Sequence, residues 1–293
     1  MKNSLFNGVA TALYTPFKPD TLQIDFEAFE RAINRQLKAK VDALVLLGTT
    51  GEASTITDKE RSTLIKFAKE KINNRIPLIV GCGSNCTSKA INFVKSAEQL
   101  NADGALIVTP YYNKCNNDGL LAHYSAICKE TNLPIIAYNV PSRTGVSIDI
   151  KTYEQIIKLP NIAGIKEADN NKDNYRAVLN NFSSIIDIYC GSDENFIDFL
   201  SYGSSGIISV TSNIIPKKIK DIYLNYKLYY NNSDKLFTTL NTALFSDVNP
   251  IPLKCAVKLL YNEGYGLRLP LTQANEAQTE YLRNILNKLK FEV

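Results

Sequence analysis

Histidine is nearly absent from this 293-residue chain, where His123 stands alone. Zinc sites built on clustered histidines need more, and Ser-His-Asp or Cys-His catalysis would each have to use that one residue. A single histidine in a helical stretch reads as structural, so acid and base work falls to tyrosine, lysine and carboxylates. Cys82, Cys86, Cys115, Cys128, Cys190 and Cys255 form no CxxC pair. With no leader-like segment at the start, they read as reduced and mostly buried thiols. No apolar run approaches the roughly 20 residues that a bilayer-spanning helix requires. The net charge of +4 is spread without a basic block, so neither nucleic acid nor a membrane is expected as a partner. Low-complexity linkers and solenoid repeats are missing too. The expected compartment is the cytoplasm.

What the chain does have is composition for a core and a cadence. Hydrophobic residues make up 45% and charged residues 21%, which is ordinary globular usage and excludes disorder. Short β-rich apolar runs recur at 9–14, 43–47, 77–80, 105–109, 134–138, 162–165, 187–189 and 206–210. Each interval holds one strand, one helix and two loops. Asp25 is placed to cap a helix with Phe26, Phe29, Ile33 and Leu37 on one face, and Thr57 with Glu60 forms a capping box before the next. Strands apolar at every position suit a parallel sheet covered on both faces. Eight such units predict an α/β fold, a (β/α)8 TIM barrel, with an open doubly wound sheet as the competitor.

After about residue 214 the strand pattern stops. Three or more helical segments are expected, including 217–229, 251–261 and 272–289, the last with a stripe of Tyr281, Leu282, Ile285, Leu286 and Leu289. The Asn-rich stretch 229–234 reads as a turn. The expected organisation is a barrel domain over 1–229 and a C-terminal helical region over 230–293.

Barrel chemistry gathers at the C-terminal strand ends. Lys166 closes the apolar strand 162–165, where desolvation lowers an ammonium's pKa and frees an amine to attack a carbonyl; a solvated loop lysine is the plainer reading. Gly48-Thr49-Thr50-Gly51 offers hydroxyls and backbone N–H groups for a carboxylate or phosphate, or is simply a tight turn. It is no P-loop, because no Gly-Lys-Ser/Thr follows. Tyr111 and Tyr112 read as packing aromatics or as site groups, and Tyr138 as a proton carrier beside the lysine. Arg143, in a loop bounded by proline and glycine, is a carboxylate clamp or a free surface arginine.

Together these strand ends resemble the pyruvate-dependent Schiff-base aldolase superfamily, and within it the dihydrodipicolinate synthase family. The motifs are GTTGE at 48–52, TPYYN at 109–113, YNVPSRTG at 138–145 and GIKEA at 164–168, and the likeness spans essentially the whole chain. It implies a lyase that condenses pyruvate with L-aspartate-4-semialdehyde, in the diaminopimelate route to lysine, without metal or organic cofactor. By this resemblance Lys166 forms the Schiff base, and Thr49 and Thr50 hold the pyruvate carboxylate. Tyr138, Thr49 and Tyr112 relay protons, with Tyr112 reaching in from a neighbouring subunit. Arg143 binds the semialdehyde carboxylate, while Gly191 and the Ile208 carbonyl line the pocket. A homotetramer, a dimer of dimers, is the implied assembly.

Members inhibited by lysine use an interface pocket matching Ala53, Ser54, Asp58, Arg61, Asn85, Lys89 and Tyr111. Lys89 stands here where those members carry a glutamate, so L-lysine is expected to inhibit weakly or not at all. The rival readings are a sister aldolase acting on N-acetylneuraminate or keto-deoxy sugar acids, and a non-catalytic pyruvate-binding homologue. Thr50 and Arg143 favour the synthase over the first. The intact set of Lys166, Tyr138, Thr49, Tyr112 and Arg143 speaks against the second.

Overall fold

The computed structural model describes residues 4–230 and 234–290. Its strands are β1 (Gly8–Ala12), β2 (Ala43–Leu46), β3 (Leu78–Gly81), β4 (Gly104–Val108), β5 (Ile135–Asn139), β6 (Ile162–Glu167), β7 (Asp187–Cys190) and β8 (Gly206–Ser209). They pair in chain order, all parallel, and β8 closes on β1. That closure makes a (β/α)8 barrel and excludes the open sheet. Every expected strand is present, with ends shifted by a residue or two.

Alternation within the apolar runs now has its meaning. Ala10, Ala43, Val45, Ile79, Leu106 and Ile136 pack inside the barrel. Leu44, Leu46, Val80, Ile107 and Ile135 face the surrounding helices. Both faces are buried, so neither tolerates a polar residue except at the strand ends. The N-terminal end of the barrel is plugged by Phe6 stacked on Tyr189, with centroids 4.2 Å apart, and by the Tyr189 hydroxyl donating to the Phe6 carbonyl at 2.8 Å.

Local signals behave as expected. Asp25 accepts from the Ala28 N–H ahead of helix Phe26–Lys38, and Thr57 with Glu60 forms the reciprocal capping box of helix Asp58–Ile72. One segment differs from its expectation: the supposed loop around Arg143 is a single helical turn, Pro141–Thr144, because Pro141 starts it and Gly145, at φ +67°, ends it in the left-handed region.

Helix Pro216–Tyr229 follows β8, packs on β1 and completes the barrel's outer ring, and beyond it lie helices Lys235–Leu244, Ile251–Tyr261 and Glu276–Lys288. Helix Lys235–Leu244 is a further segment within the expected three or more, not placed by the sequence, and Phe237, Leu240 and Leu244 give it a buried face. The last begins later than expected because Asn275 and Gln278 form a capping box there. Residues 231–233 of the expected turn lie outside the described residues. Among the described residues no helix is long and apolar enough to cross a membrane.

Candidate active site

Tyr138 and Lys166 are register partners on adjacent strands β5 and β6, so both side chains project into the barrel mouth at the same level. The Lys166 amine lies 4.3 Å from the centroid of the Tyr138 ring. Lys166 is only 6% exposed. Burial pushes its ammonium down from 10.5 to about 8; the carboxylate of Asp193 and the Cys190 thiol push back, and Arg143 lowers it further. Gly191 makes room for this lysine: a Cβ there would meet the Ala168 Cβ at 2.7 Å and the Lys166 Cε at 3.0 Å.

Burial also pushes the Tyr138 phenol up to about 12, against the opposing effects of Arg143 and a hydrogen bond with the Thr49 side chain. The phenol therefore stays protonated and can pass a proton on rather than hold a charge. Thr49 and Thr50 follow strand β2, and among the described residues their backbone N–H groups donate to no backbone carbonyl. Two free donors in a turn make an anion seat.

These groups line a cavity of about 460 Å³ that includes Thr49, Thr50, Tyr138, Arg143, Lys166 and Gly191. The structure thus brings together six of the expected residues. Ile208, expected to lend its carbonyl, is not in that lining; its side chain packs in the barrel-interior core, and Val210 stands at the cavity wall. Tyr112 lies outside the cavity altogether, 91% exposed, on a backbone with φ +70°. A second cavity of about 440 Å³ shares Thr49, Tyr138 and Arg143 as a common wall. Ala53, Ser54, Arg61, Asn85, Lys89 and Tyr111 line it, whereas Asp58 does not.

Several functional neighbours escaped sequence reading. Asp193, fully buried, accepts from the Ser209 hydroxyl and from the Val210 N–H at 2.9 Å, which fixes a negative charge near Lys166. Asn249, from the C-terminal region, donates its side-chain amide to the Thr50 hydroxyl at 2.9 Å, and its carbonyl accepts from Arg143 at 3.4 Å. Glu52 ends GTTGE in the left-handed region at φ +52°. Its carboxylate pairs with the buried Lys254 and accepts from the Arg268 N–H at 3.1 Å. Lys254 also donates to the Gly266 carbonyl at 2.6 Å. The C-terminal helices thus grip the loop that carries Thr49 and Thr50. The motif gave a hint in Glu52, but its partner lies 202 residues away.

His123 is structural, as expected: its Nδ1 meets the Thr87 hydroxyl at 3.0 Å, and burial pushes it down to about 4. Cys82, Cys128, Cys190 and Cys255 are buried, whereas Cys86 is exposed and Cys115 partly so.

The model of the dihydrodipicolinate synthetase family matches residues 5–289. A curated relative, 4-hydroxy-tetrahydrodipicolinate synthase of Alkaliphilus oremlandii, is 43% identical over 290 residues, covering 97% of this chain and 99% of its own. The solved dihydrodipicolinate synthase of Thermotoga maritima superposes with a TM-score of 0.93 at 40% identity, covering 97% of this chain and 99% of that one. The chloride-inhibited dihydrodipicolinate synthase of Acinetobacter baumannii, solved with pyruvate, gives 0.92 at 37% identity, over 97% and 98%. With a closed barrel, a buried lysine on β6 and these likenesses across nearly its full length, the chain belongs to the dihydrodipicolinate synthetase family.

Proposed function

We propose that this chain is a lyase that condenses pyruvate with L-aspartate-4-semialdehyde to give 4-hydroxy-tetrahydrodipicolinate. The observation that carries the reading is the buried Lys166 amine beside the Tyr138 phenol. The pyruvate carboxylate sits on the Thr49 and Thr50 N–H groups and the Thr50 hydroxyl. Asn249 occupies a lone pair of that hydroxyl, leaving its proton for the substrate. The Lys166 amine adds to the keto carbon, and loss of water gives a protonated imine. This cation withdraws electrons, so a methyl proton leaves to Tyr138 and passes along Thr49, producing an enamine. The enamine carbon attacks the aldehyde carbon of the semialdehyde, whose carboxylate Arg143 holds. Finally the substrate's amino group adds to the imine carbon, closes the ring and expels Lys166 as the free amine.

Borohydride reduction in the presence of pyruvate tests the first step. A reduced pyruvyl adduct on the peptide containing Lys166 is expected, and its initial rate should climb about tenfold between pH 6 and 7 and flatten above about 8, because only the neutral amine attacks. An adduct elsewhere, or none, refutes the reading. Turnover of aspartate semialdehyde but not of sialic acid then separates the synthase from its sister aldolases.

The assembly follows from Tyr112, which completes the proton relay of a neighbouring subunit. A side chain so exposed, on strained backbone, has no role in its own barrel. Equal mixing of Lys166→Met and Tyr112→Phe chains should restore about a quarter of native activity through heterodimers with one complete site each. No recovery after reassortment would place Tyr112 outside the relay. The dimer pairs again as a dimer of dimers in this reading. The cytoplasm suits its six free cysteines.

A further inference from the structure

Glu167 directly follows the nucleophile on β6, lines neither of the two cavities and is 1% exposed. Strand alternation turns it away from Lys166, to the helix side of the barrel wall. Among the described residues no cation lies within ion-pairing distance of its carboxylate. A buried acid without a counter-ion is costly where an apolar residue would pack, so its hydrogen bonds have to account for it.

Those bonds come from three directions. The Asn139 side-chain amide on β5 donates to both carboxylate oxygens, at 3.0 and 3.2 Å. The Tyr153 hydroxyl, on helix Ile150–Ile156, donates at 2.7 Å. The Asp169 N–H, in the loop beyond β6, donates at 2.7 Å. Burial pushes the carboxyl up to about 7 against the pull of all three donors. Asn139 in turn accepts from the Ile148 N–H at 3.3 Å, on the segment that leaves the turn carrying Arg143. The Glu167 backbone carbonyl accepts from the Gly191 N–H at 2.7 Å, the glycine that makes room for Lys166.

The ladder between β5 and β6 gives this clamp its importance. Ile135 pairs with Ile162 but Ile136 with Gly164, so Ala163 is an extra residue and the register changes at the foot of the pair. Carried on without that bulge, the first pairing would set Tyr138 opposite Ile165 and turn Lys166 out of the barrel mouth. Beyond the bulge Tyr138 meets Lys166, and Asn139 meets Glu167. On the Schiff-base reading of Lys166, we propose that Glu167 is the positioning residue of this site: by holding Asn139 across the strand gap, it locks β6 to β5 at the level where the amine and the phenol stand side by side. Imine formation needs only an accessible amine. Removal of the methyl proton needs the phenol correctly placed against the bound keto acid as well.

Two rates of the full-length protein with pyruvate alone separate positioning from folding: borohydride trapping of the Lys166 imine, and exchange of the pyruvate methyl hydrogens in heavy water, followed by proton NMR. Glu167→Leu, close in size but without hydrogen bonds, should trap imine within about threefold of the parent and exchange at least about thirtyfold more slowly. Glu167→Gln keeps an oxygen for Asn139 and Asp169 and presents an amide to the Tyr153 hydroxyl, so exchange should return to within about fivefold. Asn139→Leu removes the bond across the strands and leaves Glu167 its other two donors. It should show the same split, and it carries the test where Glu167→Leu does not fold. Equal losses in both rates would make Glu167 a support of the fold and overturn the proposal. Exchange at the parent rate in both leucine variants overturns it too, as does a glutamine variant as slow as Glu167→Leu. A parent protein that traps no imine refutes the reading of Lys166 itself, and that result is read before any variant enters.

Discussion

Lys166→Met and Lys166→Arg are each expected to lose at least about a thousandfold in turnover. Methionine fills the channel beside Gly191 with a side chain of similar length but has no nucleophile. Arginine keeps the charge, yet its guanidinium stays protonated at every working pH and cannot add to a keto carbon. Stability should move little or rise. Burial lowers the folded-state pKa of Lys166 to about 8, so below that pH the native protein holds an ammonium it disfavours relative to the unfolded chain. That cost is relieved as pH climbs from about 8 toward the ordinary lysine value. Removing the amine should therefore leave Tm unchanged or higher at pH 7. Unimpaired turnover in either variant would remove the basis of the mechanism, and a large drop in Tm would mean that the loss reflects misfolding.

The second large effect lies away from the chemistry. Lys254→Met should destabilise the protein by about 3–5 kcal/mol, because the buried Glu52 carboxylate loses its ion-pair partner. For a chain of this size that corresponds to a fall in Tm of about 6–15 °C. The double change Glu52→Gln with Lys254→Met removes both charges and should recover part of it. Since Glu52 follows Thr50 by two residues, the single variant should also raise KM for pyruvate more than it lowers kcat. A Tm within about 2 °C of the parent would show that the pair contributes little.

The barrel was legible because its constraint is local. Each strand has to be apolar on both faces, and each helix carries its own cap, so Asp25, Thr57 and Glu60 announce boundaries wherever the chain later goes. The strand-end residues were legible as types: a lysine after Ile165, hydroxyls between Gly48 and Gly51, a tyrosine ending 134–138. Their roles came from the resemblance, and the structure adds that the side chains converge on one mouth. What escaped was long-range pairing. Nothing near Thr50 signals that Asn249 will meet its hydroxyl, and Lys254 sits in an apolar helix where a charge looks like a solvated face. Asp193 reads as an ordinary loop acid until β7 and β8 are side by side. Helix Lys235–Leu244 is a milder case: its apolar spacing is readable, but it follows an Asn-rich stretch whose composition favours a turn.

Phe6 and Tyr189, stacked across the floor of the barrel, make it a vessel with one door. Whatever comes to Lys166 has to arrive from the loop side and depart the same way. In the proposed mechanism the keto acid anchors deepest, so it is seated before the aldehyde occupies the space above it, and the finished ring clears the opening before another turn begins.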